Sequence, residues 1–165
     1  MDKNNRLIIL GGNPETAYLI KFLETINVHT ICLDPDKNSL AKKYSSESYD
    51  IDCLDYESLL KLTKRIKFDG ILVGVADILV PNYYKLCTHY SLPTYSNKKT
   101  LEYFSTKKKF IEICEKFLIG VTPYFKSDDV FDKTHLPVLV KPVDSGGGIG
   151  MRVVNNISQL NDAIN

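Results

Sequence analysis

Short apolar runs alternate with segments of helical period through about residue 95, and this alternation constrains the fold more than any other feature of the chain. Leu7 to Leu10 is an apolar run that ends in Gly11-Gly12-Asn13-Pro14, the pattern of a buried strand entering a turn. From Glu15 to Ile26, Ala17, Tyr18, Leu19, Phe22, Leu23 and Ile26 recur at helical spacing, and Pro14 suits the first turn of that helix. Thr30 to Leu33 reads as a second strand, closed by Asp34-Pro35-Asp36. A short helix around Ser39 to Tyr44, a third strand at Tyr49 to Ile51 and an amphipathic helix at Tyr56 to Ile66 follow. Ile71 to Val73 is a fourth strand running into Gly74-Val75-Ala76-Asp77. Leu79 to Tyr90 is helical, and Leu92 to Tyr95 returns to an extended form. Connections of this length exclude hairpins, so a parallel sheet of four or five strands with helices on both faces is expected.

From Ser96 the organisation changes. Two helical stretches, Lys98 to Tyr103 and Lys107 to Phe117, follow one another without a strand, and Gly120-Val121-Thr122-Pro123 breaks the chain. Val138 to Val140 and Met151 to Val154 read as strands around a glycine-rich loop, and Ile157 to Ile164 as a last helix that Ser158 could cap. The organisation expected is a domain over 1–96, a helical linker over 97–123 and an incomplete α+β subdomain over 124–165.

Global charge points to no polyanion. Lys plus Arg number 21 against 20 Asp plus Glu, a net charge of +1, so neither nucleic acid nor an anionic membrane is an expected partner. Any anion site must be local. Cys32, Cys53, Cys87 and Cys114 form no CxxC pair and sit among apolar neighbours, as small buried hydrophobes do in a reducing compartment. The first apolar run is too short for a signal peptide or a membrane helix, which makes the cytoplasm the default expectation. His29, His89 and His135 have no metal-ligand spacing.

The strongest chemical signal is Val138-Leu139-Val140-Lys141-Pro142 followed by Ser145-Gly146-Gly147-Gly148-Ile149-Gly150-Met151. A strand delivers a lysine at its end, and glycines then leave successive backbone amides uncovered for phosphate oxygens. The lysine adds a compact point charge for the same anion. No Gly-Lys-Ser/Thr follows, so this is not a Walker A loop. It runs into a strand rather than a helix, so it is not a dinucleotide fingerprint either.

This strand, lysine and glycine loop resembles the lid hairpin of ATP-grasp enzymes, biotin carboxylase and carbamoyl-phosphate synthetase in particular. In that family the lysine at the position of Lys141 contacts ATP phosphates and the glycine-rich loop closes over them. Ser105-Thr106-Lys107-Lys108-Lys109-Phe110 is similar to the family's upstream basic stretch, with Lys107 matching its phosphate-contacting lysine and Lys108 the alternative. Thr106 stands where an acidic or amide residue is usual, so a hydroxyl would cap the helix there. Leu118 to Pro123 resembles the family's Gly-Ile-Pro-Val-Pro segment without its first glycine and first proline. Leu7 to Pro14 looks like the opening of the Rossmann-like pre-ATP-grasp domain.

The resemblance implies an ATP-dependent ligase that activates a carboxylate as an acyl phosphate and joins it to a nucleophile. ATP would be held by Lys107, Lys141, Ser145, Gly146, Gly147, Gly148 and Gly150. The loops Gly11 to Pro14, Asp34 to Asp36 and Gly74 to Asp77 should meet at the carboxyl edge of the sheet, where open α/β folds bind ligands. Gly11, Gly12, Asn13 and Asp77 are the acceptor-site candidates there. The family's adenine-holding hinge and magnesium ligands come from a second half. After Gly150 the acidic residues reduce to Asp162, so magnesium ligands are expected outside this chain. The chain is accordingly expected to be an inactive N-terminal fragment, either truncated or one half of a split protein, with a homo-oligomer or a complementing C-terminal half as its expected partner. Two alternatives stand beside it. One is a Rossmann-like nucleotide-binding module using Gly11 and Gly12 for a pyrophosphate and Asp34 for a ribose. The other is the scaffold half of a split two-chain enzyme.

Overall fold

The computed structural model describes residues 5–125, 133–142, 148 and 150–164. The chain divides into two compact units, Met1–Leu101 and Glu102–Asn165. The first unit is a doubly wound α/β domain. Strands β1 (Asn5–Leu10), β2 (Val28–Asp34), β3 (Glu47–Asp50) and β4 (Gly70–Val73) form one sheet in the order β3-β2-β1-β4. Every pairing is parallel, with Ile8 opposite Ile31 and Ile71, and Ile9 opposite Cys32 and Leu72.

That register sorts the side chains into two rows, because successive residues of a strand point to opposite faces. Ile8, Leu10, Ile31, Leu33, Ile71 and Val73 share one core with Leu59 of α2 (Tyr56–Thr63) and Tyr83 and Leu86 of α3 (Val80–His89). Ile9 and Cys32 share the other with Ala17, Ile20 and Leu23 of α1 (Pro14–Thr25). The sheet is covered on both sides, as the unbroken apolar strands require.

Local chemistry sets the helix starts. The Asn13 side chain accepts the Thr16 amide and Pro14 occupies the first turn of α1. Asp55 caps α2 through the Ser58 amide. The apolar spacing of α1 covers more than its buried face: Tyr18 and Phe22 are 72% and 61% exposed, whereas Ala17, Ile20 and Leu23 face the sheet. Residues Leu92 to Tyr95 add no strand. The Tyr95 hydroxyl instead accepts the Val73 amide at 2.7 Å, and Tyr95 stacks on Tyr83 at 4.4 Å between centroids. A side chain thus satisfies an amide on the edge strand β4.

The second unit carries less regular structure. Helix α4 (Lys98–Ser105) runs across the division, and α5 (Lys107–Lys116) follows. Strands β5 (Val138–Val140) and β6 (Arg152–Val154) pair antiparallel, with Leu139 opposite Val153, and α6 (Ile157–Ile164) packs against them. Asn156, not Ser158, caps α6: its side chain accepts the Gln159 amide at 2.9 Å. The Gln159 side chain reaches back to the Asn155 amide, close to a capping box. Ser158 lies two residues past that cap position, inside the helix. Thr106 stands at the cap position of α5, but its hydroxyl makes no capping bond. No helix among the described residues is long and apolar enough to cross a membrane.

Candidate functional site

Each unit brings one set of sequence candidates together. In the first unit, parallel pairing carries the ends of β1, β2 and β4 to a common edge, and the turns that leave them interlock. The Gly11 amide donates to Leu33 O at 2.9 Å and the Gly74 amide to Leu10 O at 3.0 Å. Asn13 Nδ2 donates to Val75 O at 3.0 Å while its Oδ1 accepts Thr16 N and Thr16 Oγ1. The Asp34 carboxylate accepts the Gly12 amide at 2.7 Å through Oδ2 and the Asp36 amide at 2.8 Å through Oδ1.

A cleft of about 190 Å³ opens at this edge, lined in part by Gly11, Gly12, Asn13, Asp34, Asp52 and Cys53. Asp77 is exposed at the start of a short 3-10 turn and does not line it. Burial pushes the Cys53 thiol up to about 11, so it stays protonated at neutral pH and offers no nucleophile.

The glycines here have internal reasons. A Cβ on Gly12 would lie 2.1 Å from Ser39 Oγ and 2.9 Å from Asp34, and one on Gly74 would lie 2.0 Å from Thr16 Oγ1. Ser39 Oγ also donates to Gly12 O at 2.5 Å. Thr16 and Ser39 were not among the sequence candidates. The Asn-Pro-x-Thr spacing would have marked Thr16 as the capping partner, while nothing local marks Ser39. The pyrophosphate expected of a dinucleotide module would meet a carboxylate already holding the Gly12 amide.

In the second unit, Lys107 Nζ donates to Pro142 O at 3.0 Å. This contact brings the first residue of α5 to the mouth of the loop that Lys141 opens. Lys141 follows β5 directly and is exposed. Gly148 and Gly150 both adopt positive φ, +77° and +76°, and a Cβ at Gly150 would come 2.8 Å from Pro142 Cγ. The closing turn therefore needs glycine at residue 150. Ser145, Gly146 and Gly147 lie outside the described residues. Lys108 and Lys109 extend the basic start of α5, and Lys109 pairs with Glu102 at 3.3 Å. Lysines at a helix N-terminus without a side-chain cap are unfavourable by themselves, and an anion would offset that cost. Two lysines and a glycine turn fit a polyphosphate. Among the described residues no group of three or more His, Cys, Asp or Glu side chains could hold a metal ion.

No family model matches the chain. It is 22% identical over 181 residues to a carbamoyl phosphate synthase large chain of Clostridium botulinum, covering 97% of this chain and 17% of that protein. It is 23% identical over 168 residues to a formate-dependent phosphoribosylglycinamide formyltransferase of Pasteurella multocida, covering 98% of this chain and 42% of the relative. In structure it is similar to an N5-carboxyaminoimidazole synthetase of Staphylococcus aureus complexed with ADP, with a TM-score of 0.77, 18% identity, and coverage of 98% and 44%. These relatives are ATP-grasp enzymes, and the chain has the fold of their N-terminal part. It spans less than half the length of each of them.

Proposed function

We propose that this chain supplies the N-terminal, phosphate-binding part of an ATP-dependent carboxylate–amine ligase similar to carbamoyl-phosphate synthetase. The observation that carries the reading is the 3.0 Å bond from Lys107 to Pro142 O, which joins a basic helix start to the glycine loop behind Lys141. Lys107 and Lys141 would offset phosphate charge, and the amides of the stretch Ser145, Gly146, Gly147, Gly148 and Gly150 would cover the transferred group. ATP, when bound, would supply the phosphoryl group that turns a carboxylate into an acyl phosphate open to attack by an amine. Magnesium would be held by carboxylates from residues past the matched stretch together with the phosphates. The ADP bound by the S. aureus protein supports the choice of nucleotide. Gly11, Gly12 and Asn13 at the sheet edge are the acceptor-side candidates, with Asp77 beside them. A complementing segment is favoured by one further observation: Leu139 and Val153, a cross-strand pair, are 49% and 65% exposed. Such a segment would cover that face.

Titration of ATP into isotope-labelled protein tests the reading. Amide shifts are expected at Lys141, Gly148 and Gly150, and the combined Lys107→Gln and Lys141→Gln variant should bind about tenfold or more weakly. NADH should bind undetectably. Micromolar NADH binding, or ATP shifts confined to Gly11 and Gly12, would reverse the assignment in favour of the dinucleotide reading.

A further inference from the structure

We infer that the exposed face of α1 is the contact surface between two copies of this chain, packed antiparallel across a two-fold axis at Phe22. The inference stands apart from the ligase reading above. Ala17, Ile20 and Leu23 turn one side of α1 to the sheet. At about 100° per residue, Tyr18 and Phe22, with Ile26 at the C-cap, fall nearly opposite that side and form one ridge at i, i+4 spacing. They are 72%, 61% and 53% exposed. Lys21 Nζ lies 3.8 Å from the centroid of the Tyr44 ring and 5.9 Å from that of Tyr18. Tyr44, 39% exposed, therefore extends the same patch.

Area, charge and spacing select the occupant. These four side chains leave about 400 Å² of largely apolar surface in water, taking roughly 200 Å² for a whole large residue. A stable interface buries about 800 Å² per partner, a little over half of it apolar, so the patch carries most of the apolar area that one side of such a contact needs. Apolar patches of a few hundred Å² or more are where soluble proteins commonly bind partners. The stripe itself is uncharged, and the Lys21 ammonium beside it lies on the Tyr44 ring. It therefore complements an uncharged surface of its own kind better than an acidic or basic one. A net charge of +1 lets two copies approach without strong repulsion. The spacing also matches itself: in an isologous contact, Phe22 meets Phe22, and Tyr18 of each copy meets Ile26 of the other. Antiparallel packing further brings the unlike dipole ends of the two helices together.

Sedimentation equilibrium of the full chain tests this. The mass should rise from that of the 18.7 kDa monomer toward twice that value, with a dissociation constant on the order of 10 μM. Phe22→Glu places two carboxylates face to face on the axis and should weaken the dimer at least about tenfold; Phe22→Lys should do the same with two ammonium groups. Mixed in equal amounts, the two charge variants should regain the mass of the dimer, because this position meets itself. Phe22→Ala removes area without adding charge, should weaken the dimer less, and serves if a charged variant does not fold. A wild-type chain that stays monomeric at roughly 300 μM, well above that constant, would overturn the inference and leave the stripe to a different partner. A dimer that a folded Phe22→Glu variant leaves intact would overturn it too, as would a mixture of the charge variants that stays monomeric.

Discussion

Gly12 is where sequence and structure are most instructively related. Its presence in a Gly-Gly-Asn-Pro turn is legible in the sequence, but the reason is not. Close approach of Ser39, 27 residues away, is a tertiary fact that no local pattern carries. Gly12→Ala should therefore destabilise the chain by about 1–3 kcal/mol, the usual cost of overpacking, measured by urea unfolding. The buried thiols give a second residue-scale expectation. Burial first, and then the Asp34 carboxylate, push the Cys32 thiol up to about 12, so Cys32 and Cys53 should resist iodoacetamide at pH near 8 until urea unfolds the chain. A third concerns Glu47. The Arg6 side-chain hydrogen bond, with His29 beside it, holds its carboxyl below the usual value. A depressed folded pKa contributes stability above the unfolded pKa that is lost as pH falls through the folded one. Glu47→Gln should lower stability at pH 7 and flatten the acid limb below about pH 4.5. Partial exposure keeps that contribution to about 1 kcal/mol at most.

At the scale of elements, the helices and strands whose signal is local are the ones the sequence shows. Asn13-Pro14 starts α1, Asp55 starts α2, and the apolar runs of β1, β2 and β4 can pack nowhere but inside a doubly covered sheet. What escaped is decided by distant contacts. Tyr18 and Phe22 share the periodicity of the buried face of α1 yet point to solvent, because an apolar spacing does not say which side the sheet lies on. Tyr95 belongs to an extended stretch, but its hydroxyl, not its backbone, meets β4. The Lys107 contact with Pro142 likewise spans 35 residues, and only the resemblance to the lid hairpin signalled that the two would matter together. Strands β1 and β5 should differ in protection. Ile8, Ile9 and Leu10 are fully buried between covered faces, whereas among the described residues β5 pairs with β6 alone and leaves Leu139 half exposed. Native-state hydrogen exchange should find Val138 and Val140 faster than Ile8 and Ile9 by about two orders of magnitude, as sub-global opening allows. Equal protection would mean that β5 is already closed by a further partner.

For the molecule as a whole, that inequality extends to the two units. In Met1–Leu101 the sheet carries a core on each face, and three parallel pairings hold it. Among the described residues of Glu102–Asn165 the buried apolar side chains are Cys114, Val154 and Leu160, while Phe104, Phe117, Leu118, Ile119 and Val153 are more than half exposed. A two-stranded pair with one helix across it is marginal by itself, and apolar surface left in water contributes nothing to folding, at about 25 cal/mol per Å² of burial forgone. Urea unfolding of the isolated chain should therefore proceed in two steps. Amides of β6 and α6 should lose their native signals first, with binding of an apolar dye, while those of β1 and β2 keep theirs to higher urea. A single transition seen alike at Val153 and Ile9 would show that the units unfold as one and that the exposed face of the hairpin costs the chain nothing. If a complementing segment covers Leu139 and Val153, adding it should move the first step toward the second and leave the second where it was, since stabilisation by a partner acts only on the state that binds it.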